Sequence, residues 1–188
     1  MFLRKIFVAA CGLLLLYAVP AKAQDTSNLS VSGGYLLRLF SAPGGRVNLN
    51  GFYGSADYTL FKRFGAEAEV ADSISNRDTN GDINILTGMV GPRFYPFGHR
   101  KITVYGHVLF GEGYYRVKFP AFGGFPPTTD TYTGLSWAAG GGIEIKHSDR
   151  WSIRIPQVDF GQTKFYSGTQ SQSNFRISFG IVYHLGQK

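Results

Sequence analysis

The chain has 188 residues, enough for a single domain, and a formal net charge of +7. Its lysines and arginines are dispersed, which argues against a nucleic-acid partner. No stretch of about 18 consecutive apolar residues follows residue 23, so the sequence predicts no membrane-spanning helix. The 25 glycines, 16 phenylalanines and 11 tyrosines, in a chain poor in helix formers, favour an all-β fold.

The first residues have the three parts of a secretory signal peptide. They are a basic start, an apolar stretch and an A-x-A cleavage pattern: Arg4, Lys5, residues 6–19, Ala21 and Ala23. The sequence therefore predicts a cleaved signal peptide over residues 1–23 and one exported domain over residues 24–188. The alternatives are an uncleaved anchor, for which the apolar run is short, and a lipid on Cys11, although the main apolar run follows that cysteine. The cleaved chain would contain no cysteine and no disulfide.

Eight segments alternate between apolar and polar residues, with turn-forming residues between them. A strand has a side-chain period of two, so each segment is predicted to be a strand with one apolar face. The links after the second, fourth and sixth strands are short, and the other links are mostly longer. Such alternating links between an even number of strands are typical of a transmembrane β-barrel. The predicted strands are Leu29–Phe40, Asn50–Phe61, Gly65–Ile74, Ile83–Phe94, Ile102–Arg116, Leu135–Lys146, Trp151–Phe160 and Phe175–Leu185.

The two faces of these strands differ in charge. The apolar faces are nearly free of charge over about nine to eleven residues, the length that a tilted strand needs to cross a bilayer. The opposite faces carry charged groups in mid-strand, and aromatic residues gather near the strand ends, as in the girdles of membrane barrels. We therefore predict an all-β, eight-stranded antiparallel up-and-down transmembrane barrel whose apolar faces contact lipid. The alternative is a soluble lipocalin-like barrel with its apolar faces inside.

The charged residues on the polar faces are candidates for an ion-pair network in the barrel interior. A structural role is one interpretation, because buried charges must be paired. A gate, in which an exchange of partners opens a narrow water path, is the alternative. The residues assigned to this network are Glu67, Glu69, Arg93, Glu144, Lys146, Arg154 and Arg176.

The last predicted strand contains the sequence SFGIVYHL. With this strand, the chain from about residue 28 resembles the small outer-membrane β-barrel domains of the OmpA and OmpX type. The resemblance implies that Ser178, Gly180, Tyr183 and Leu185 form the signal that the outer-membrane assembly machinery reads, although three residues follow Leu185 here. It also implies location in the outer membrane of a Gram-negative bacterium, with lipid, lipopolysaccharide and the assembly machinery as partners.

Other polar residues have simpler interpretations than a metal or catalytic site. His107 and His184 face the interior and are expected to join its hydrogen bonds. Asp78, Asn80 and Asp82 match the start of a calcium-binding loop, but the sixth position of that loop is not glycine. The His, Ser and acid pattern of lipid-modifying barrels does not occur on any predicted strand. We therefore predict no catalytic residue, no cofactor and no metal, and a protein that is not an enzyme.

Residues 117–134 form a long predicted loop with four aromatic residues and three prolines. Exposed aromatic residues on a loop can bind a surface ligand, or they can pack on the barrel rim. The OmpA and OmpX class includes structural tethers, adhesins, narrow channels and lipid-modifying enzymes, so the resemblance does not decide the function. The sequence favours a structural or surface-interaction role with the loops as the recognition surface. The alternatives are a narrow, low-conductance, porin-like channel and a soluble carrier of an apolar ligand.

Overall fold

The eight strands form one closed barrel. The computed structural model describes residues 28–42, 45–75, 82–97, 101–119, 121, 126–165 and 170–185. Each strand pairs antiparallel with the next, and the last pairs with the first. No helix within these ranges is long and apolar enough to span a membrane. The strands are β1 (Leu29–Ala42), β2 (Gly45–Phe61), β3 (Phe64–Ser75), β4 (Asp82–Phe94), β5 (Ile102–Phe119), β6 (Thr128–Lys146), β7 (Trp151–Phe165) and β8 (Gln170–Leu185).

The eight predicted strands are all present, but several extend further at the loop end than predicted. β5 continues to Phe119 and β6 begins at Thr128, and these two residues pair in the register. Most of the described part of segment 117–134 is therefore strand, which corrects the prediction of a loop. Backbone hydrogen bonds between strands do not depend on an alternation of apolar and polar side chains. A hairpin can therefore extend beyond the membrane, where that alternation is no longer required.

Several predicted features lie outside the described residues. They are the signal peptide over residues 1–23, the alternative lipid site at Cys11, and Asp78 and Asn80 of the calcium-loop pattern. These remain predictions from the sequence.

The outer face of the barrel is apolar, and the inner face is polar at mid-strand. On β8, Phe179 and Ile181 are 41% and 56% exposed, whereas Arg176 and Ser178 are 3% and 1% exposed. β3 follows the same rule, with Glu67 buried between exposed or half-buried neighbours. A soluble barrel would show the reverse, with apolar side chains inside and charges in water. The lipocalin-like alternative is therefore wrong.

A bulge interrupts β7 at Pro156. The register of β7 shifts between Arg154 and Gln157 on the β8 side, and a matching shift occurs on the β6 side. The proline explains the bulge, since it has no amide hydrogen to give to a ladder. The extra residue turns Arg154 and Gln157 to the same inner face, where the Arg154 guanidinium donates to the Gln157 amide oxygen at 3.3 Å.

Aromatic rings face outward at both ends of the barrel. At the short-turn end, the ring centroids of Trp151 and Tyr183 lie 4.7 Å apart. At the loop end, the rings of Trp137 and Phe160 lie 6.1 Å apart. Aromatic girdles of this kind sit at the two membrane interfaces. In outer-membrane barrels the short turns are periplasmic and the longer loops extracellular, and we name the two ends of this barrel accordingly.

The apolar exterior predicts that the cost of an outward-facing charge depends on the depth of that residue in the bilayer. Ile181→Arg, on the lipid-facing side of β8 between the two girdles, should lower the free energy of unfolding by up to about 2–4 kcal/mol, the cost that applies at the bilayer midplane, because it places a cation in hydrocarbon. Ile74→Arg, also outward-facing but at the loop end of β3, is the matched control and should cost about 0–1 kcal/mol. Urea unfolding in lipid vesicles measures both. Equal costs for the two variants would contradict the membrane placement.

Candidate functional site

Nine buried ionisable residues meet in the middle of the interior. Seven strands, β2 to β8, contribute to this set, and each of its side chains is at most 10% exposed. We call it the ion-pair cluster. Its members are Asp57, Glu67, Glu69, Arg93, His107, Glu144, Arg154, Asp159 and Arg176.

Two arginines and two carboxylates alternate in the periplasmic half of the cluster. The Arg93 guanidinium donates to Asp57 and, at 2.6 Å, to Glu144. Arg154 donates to the same two carboxylates, at 3.1 Å and 2.8 Å. The Arg93 guanidinium also stacks 3.5 Å from the centre of the Tyr105 ring. Each charge therefore has two partners of opposite sign, the condition under which buried ions are tolerated.

The other half of the cluster is centred on Asp159. Arg176 joins this carboxylate, at 2.7 Å, to Glu69, at 2.6 Å. The two ring nitrogens of His107 each lie 2.7 Å from a carboxylate oxygen, one of Glu67 and one of Asp159. A carboxylate only accepts, so both nitrogens can donate only when the ring carries two protons. This geometry places a positive charge on His107.

Arg38 is a tenth buried charge and differs from the others. It extends from β1 to β4, where its guanidinium donates to the Thr87 hydroxyl at 3.2 Å. No carboxylate of the described residues lies within 4.0 Å of it, and its Nε has no hydrogen-bond partner there. With Arg38 and a protonated His107, the buried interior holds five cations and five carboxylates. The interior is therefore neutral as a whole, but Arg38 is locally uncompensated.

Six of the seven predicted network residues meet in the cluster, and Lys146 does not. Its side chain is 37% exposed, and its ammonium lies 3.0 Å from Asp149 in the β6–β7 turn. The inclusion of Lys146 is corrected: it is the last residue of β6, so its long side chain reaches water at the rim.

The sequence-based set omitted four charged interior residues. Asp57 and His107 alternate with outward apolar residues on β2 and β5, so the pattern already placed them on the polar face. Asp159 follows Pro156, and only the bulge shows which face it occupies. Arg38 lies between two leucines on β1, where the alternation of Leu36, buried, with Leu37, exposed, gives no clear signal.

The extracellular end of the interior contains an apolar group of side chains that the sequence did not predict, although Thr163 and Gln172, near the extracellular ends of β7 and β8, are buried and polar. Phe40, Leu49 and Ile85 are at most 1% exposed. The rings of Phe40 and Tyr115 stack with 5.7 Å between centroids. We call this group the apolar cap. Its members are Phe40, Val47, Leu49, Ile83, Ile85, Tyr115, Val117 and Tyr132.

The periplasmic end of the interior is lined by polar residues. Tyr95, directly after β4, is 3% exposed, and burial raises the pKa of its phenol to about 12. The Ser152 hydroxyl and His184 Nε2 are 2.7 Å apart. His107 and His184 thus both face the interior and join its hydrogen bonds.

The residues of the predicted assembly signal lie on both faces of β8. Ser178 and Gly180 face inward, whereas Tyr183 and Leu185 are half-buried on the outside. A Cβ atom on Gly180 would lie 2.6 Å from the backbone carbonyl oxygen of Gly33 on β1 and would also collide with the Tyr53 hydroxyl of β2, so the packing favours glycine there. Recognition of these residues by the assembly machinery remains a prediction.

A closed eight-stranded barrel with an apolar exterior, two aromatic girdles and buried ion pairs is the architecture of a small outer-membrane β-barrel. The sequence matches the family model of the outer membrane protein beta-barrel domain over residues 9–185. The chain belongs to this family, and the protein is located in the outer membrane of a Gram-negative bacterium. No curated protein matches the sequence.

Solved structures of outer-membrane proteins share the fold. Ail of Yersinia pestis, in complex with the heparin analogue sucrose octasulfate, is 20% identical with a TM-score of 0.61, covering 83% of this chain and 97% of that chain. Neisserial surface protein A (NspA) is 8% identical with a TM-score of 0.67, covering 84% and 97%. OprG of Pseudomonas aeruginosa is 11% identical with a TM-score of 0.51, covering 85% and 96%. At these identities the likeness shows the fold alone.

The two kinds of buried arginine should respond differently to the same substitution. Arg93→Met leaves Asp57 and Glu144 with one guanidinium fewer and should lower the free energy of unfolding by about 3–5 kcal/mol. Arg38→Met leaves no carboxylate without its partner and removes a locally uncompensated charge. The free energy of unfolding should therefore stay the same or rise. Urea unfolding in vesicles compares the two. A larger loss for Arg38→Met would contradict the assignment of partners.

Proposed function

We propose that the protein is a closed structural barrel that acts through its extracellular surface and is neither an enzyme nor a diffusion pore. The observation that carries the proposal is that two groups of side chains, one ionised and one apolar, fill the interior at different heights. The ion-pair cluster occupies the middle, and the apolar cap lies above it. An eight-stranded barrel is narrow enough for side chains to fill. Water would need both groups to move before it could pass.

A non-enzymatic role is supported by the surroundings of the Ser152–His184 pair. Ser152 is 3% exposed, so its hydroxyl is closed to a substrate. Both residues lie on strands whose backbone groups pair in the ladder between β7 and β8. Backbone amides used in this way are not free to stabilise an oxyanion.

The β5–β6 hairpin is the part of the surface that we assign to recognition. It is the longest hairpin, with pairing from Ile102 and Ile145 to Phe119 and Thr128. Near its tip, Arg116 and Lys118 are exposed on β5 and oppose Thr131 and Thr129 on β6. Basic and hydroxyl groups in adjacent rows suit an anionic glycan. Ail, which shares the fold, was solved with a heparin analogue. This supports testing segment 117–134 against such ligands.

The narrow channel remains the second candidate, in which an exchange among the arginines and carboxylates of the cluster, together with a movement of the apolar cap, would open a water path. Lipopolysaccharide and the assembly machinery are proposed partners during insertion and residence in the membrane. Ser178, Gly180, Tyr183 and Leu185 are the residues proposed to contact the machinery.

Conductance separates the two candidates. The purified protein, inserted in a planar lipid bilayer, should produce no stable conductance step above that of the bare bilayer, because the cluster and the cap close the interior. The measurement includes a range of voltages and salt concentrations. Reproducible single-channel steps from the native protein would overturn the closed-barrel proposal in favour of the channel.

Binding at the cell surface tests the recognition hairpin. Cells that express the protein should retain labelled heparin more than cells without it, and Arg116→Gln with Lys118→Gln should reduce the difference several-fold. Intact cells expose only the extracellular end, so Lys62→Gln with Arg63→Gln on the periplasmic side is the matched control and should change nothing. Equal binding by both double variants would remove the hairpin from the proposal.

A further inference from the structure

The charges at the two ends of the barrel are distributed differently. The described residues at the periplasmic rim include five cations and a single carboxylate, that of Asp149. The described outward or tip residues at the extracellular end are balanced, with Arg46, Arg116, Lys118 and Lys164 against Asp72, Asp82, Glu112 and Asp130. We call the periplasmic group the basic collar. Its members are Lys62, Arg63, Lys101, Lys146 and Arg150.

The collar lies directly beside the lipid-facing surface. Lys62 and Arg63 stand between Phe61 and Phe64, whose side chains are 72% and 53% exposed. Arg150 precedes Trp151, which is 48% exposed on the same rim. Exposed aromatic residues at strand ends mark the edge of the hydrocarbon. The collar cations are therefore only one or two residues beyond that edge, at the depth of the lipid headgroups.

The turns that carry the collar are held close to the membrane. The amides of His147 and Ser148 both donate to the carbonyl of Trp151, at 2.9 Å and 3.0 Å. The amide of Tyr95 donates to the carbonyl of Arg63 at 2.8 Å. Turns tied back to the barrel in this way cannot extend into the periplasm. The cations can reach ligands in the plane of the membrane more easily than ligands distant from it.

We propose that the basic collar binds anionic phospholipid headgroups of the periplasmic leaflet. Basic residues beside a membrane surface attract anionic lipids, and the attraction falls off within a Debye length. Lysine and arginine also place their alkyl stems along apolar surface while the charged group reaches the headgroup region. The proposal rests on the short turns facing the periplasm and is independent of whether the extracellular hairpins bind a glycan.

The two tryptophans of the chain give a reporter for each end. Trp151 lies in the girdle beside the collar, and Trp137 lies in the opposite girdle. Trp137→Phe leaves only the periplasmic reporter, and Trp151→Phe leaves only the extracellular one. Each full-length variant is refolded into phosphatidylcholine vesicles that contain either brominated phosphatidylcholine or brominated phosphatidylglycerol. Quenching of the fluorescence measures which lipid occupies the surface around that tryptophan.

Brominated phosphatidylglycerol should quench Trp151 more than brominated phosphatidylcholine does. The relative association constant should be about fivefold in favour of phosphatidylglycerol at low salt, as one headgroup contact would give, and should fall as salt is raised. Trp137 should show no preference. Lys101→Gln, Lys146→Gln and Arg150→Gln together, the three collar cations on the turns next to Trp151, should remove the preference at Trp151. The matched control, Arg46→Gln, Arg116→Gln and Lys118→Gln, removes the same charge from the other end and should leave it.

Any one of three fluorescence results would overturn the proposal. They are equal quenching of Trp151 by the two lipids, the same preference at Trp137, and a preference that survives the collar substitutions. Binding of the protein to purified peptidoglycan without any lipid preference would assign the collar to a different partner and would also overturn it. Heat-modifiable migration on a gel verifies folding, and if the collar variant does not fold, the comparison of Trp151 with Trp137 decides alone.

Discussion

In a bilayer core no water is present to bond to a backbone amide or carbonyl, and each unpaired group costs several kcal/mol. A sheet that crosses the membrane must therefore close, and here β8 pairs with β1 from Leu29 with Leu185 to Phe40 with Asn174. Closure fixes which side of every strand meets lipid, because side chains alternate between the two faces. The apolar exterior and the charged interior both follow from that single requirement.

Closure with eight strands leaves an interior too narrow for bulk water, so charged groups there need partners from the chain itself. These partners come from distant parts of the sequence: Glu69 and Arg176 are 107 positions apart, and Asp57 and Arg154 are 97 apart. An ion pair of this kind can form only when the strands have the correct register. We infer that the cluster stabilises the native pairing of strands more than alternative pairings, in addition to filling space.

The strand pattern was predictable from the sequence because alternation, turn residues and link lengths all reflect closure in lipid. The same pattern identified Glu67, Glu69, Arg93, Glu144, Arg154 and Arg176 as interior residues. It could not separate Lys146 from them, because its exposure depends on its height in the barrel, not on its face. Nor did it identify the apolar cap, although Ile83 and Ile85 share the inward face of Arg93 on β4, because hydrophobicity does not distinguish an inward apolar side chain from a lipid-facing one.

The height of a residue along the barrel axis therefore cannot be predicted from the sequence pattern. This height divides the barrel interior into regions with different chemistry. Inward-facing positions are polar at the periplasmic end, ionised in the middle and mostly apolar at the extracellular end. The five cations of the middle and upper interior are matched by five carboxylates, and the extracellular charges are also balanced. The periplasmic rim alone, among the described residues, carries cations in excess. An excess of cations over carboxylates at one rim attracts anions from outside the protein, and we propose that at this depth these anions are lipid headgroups.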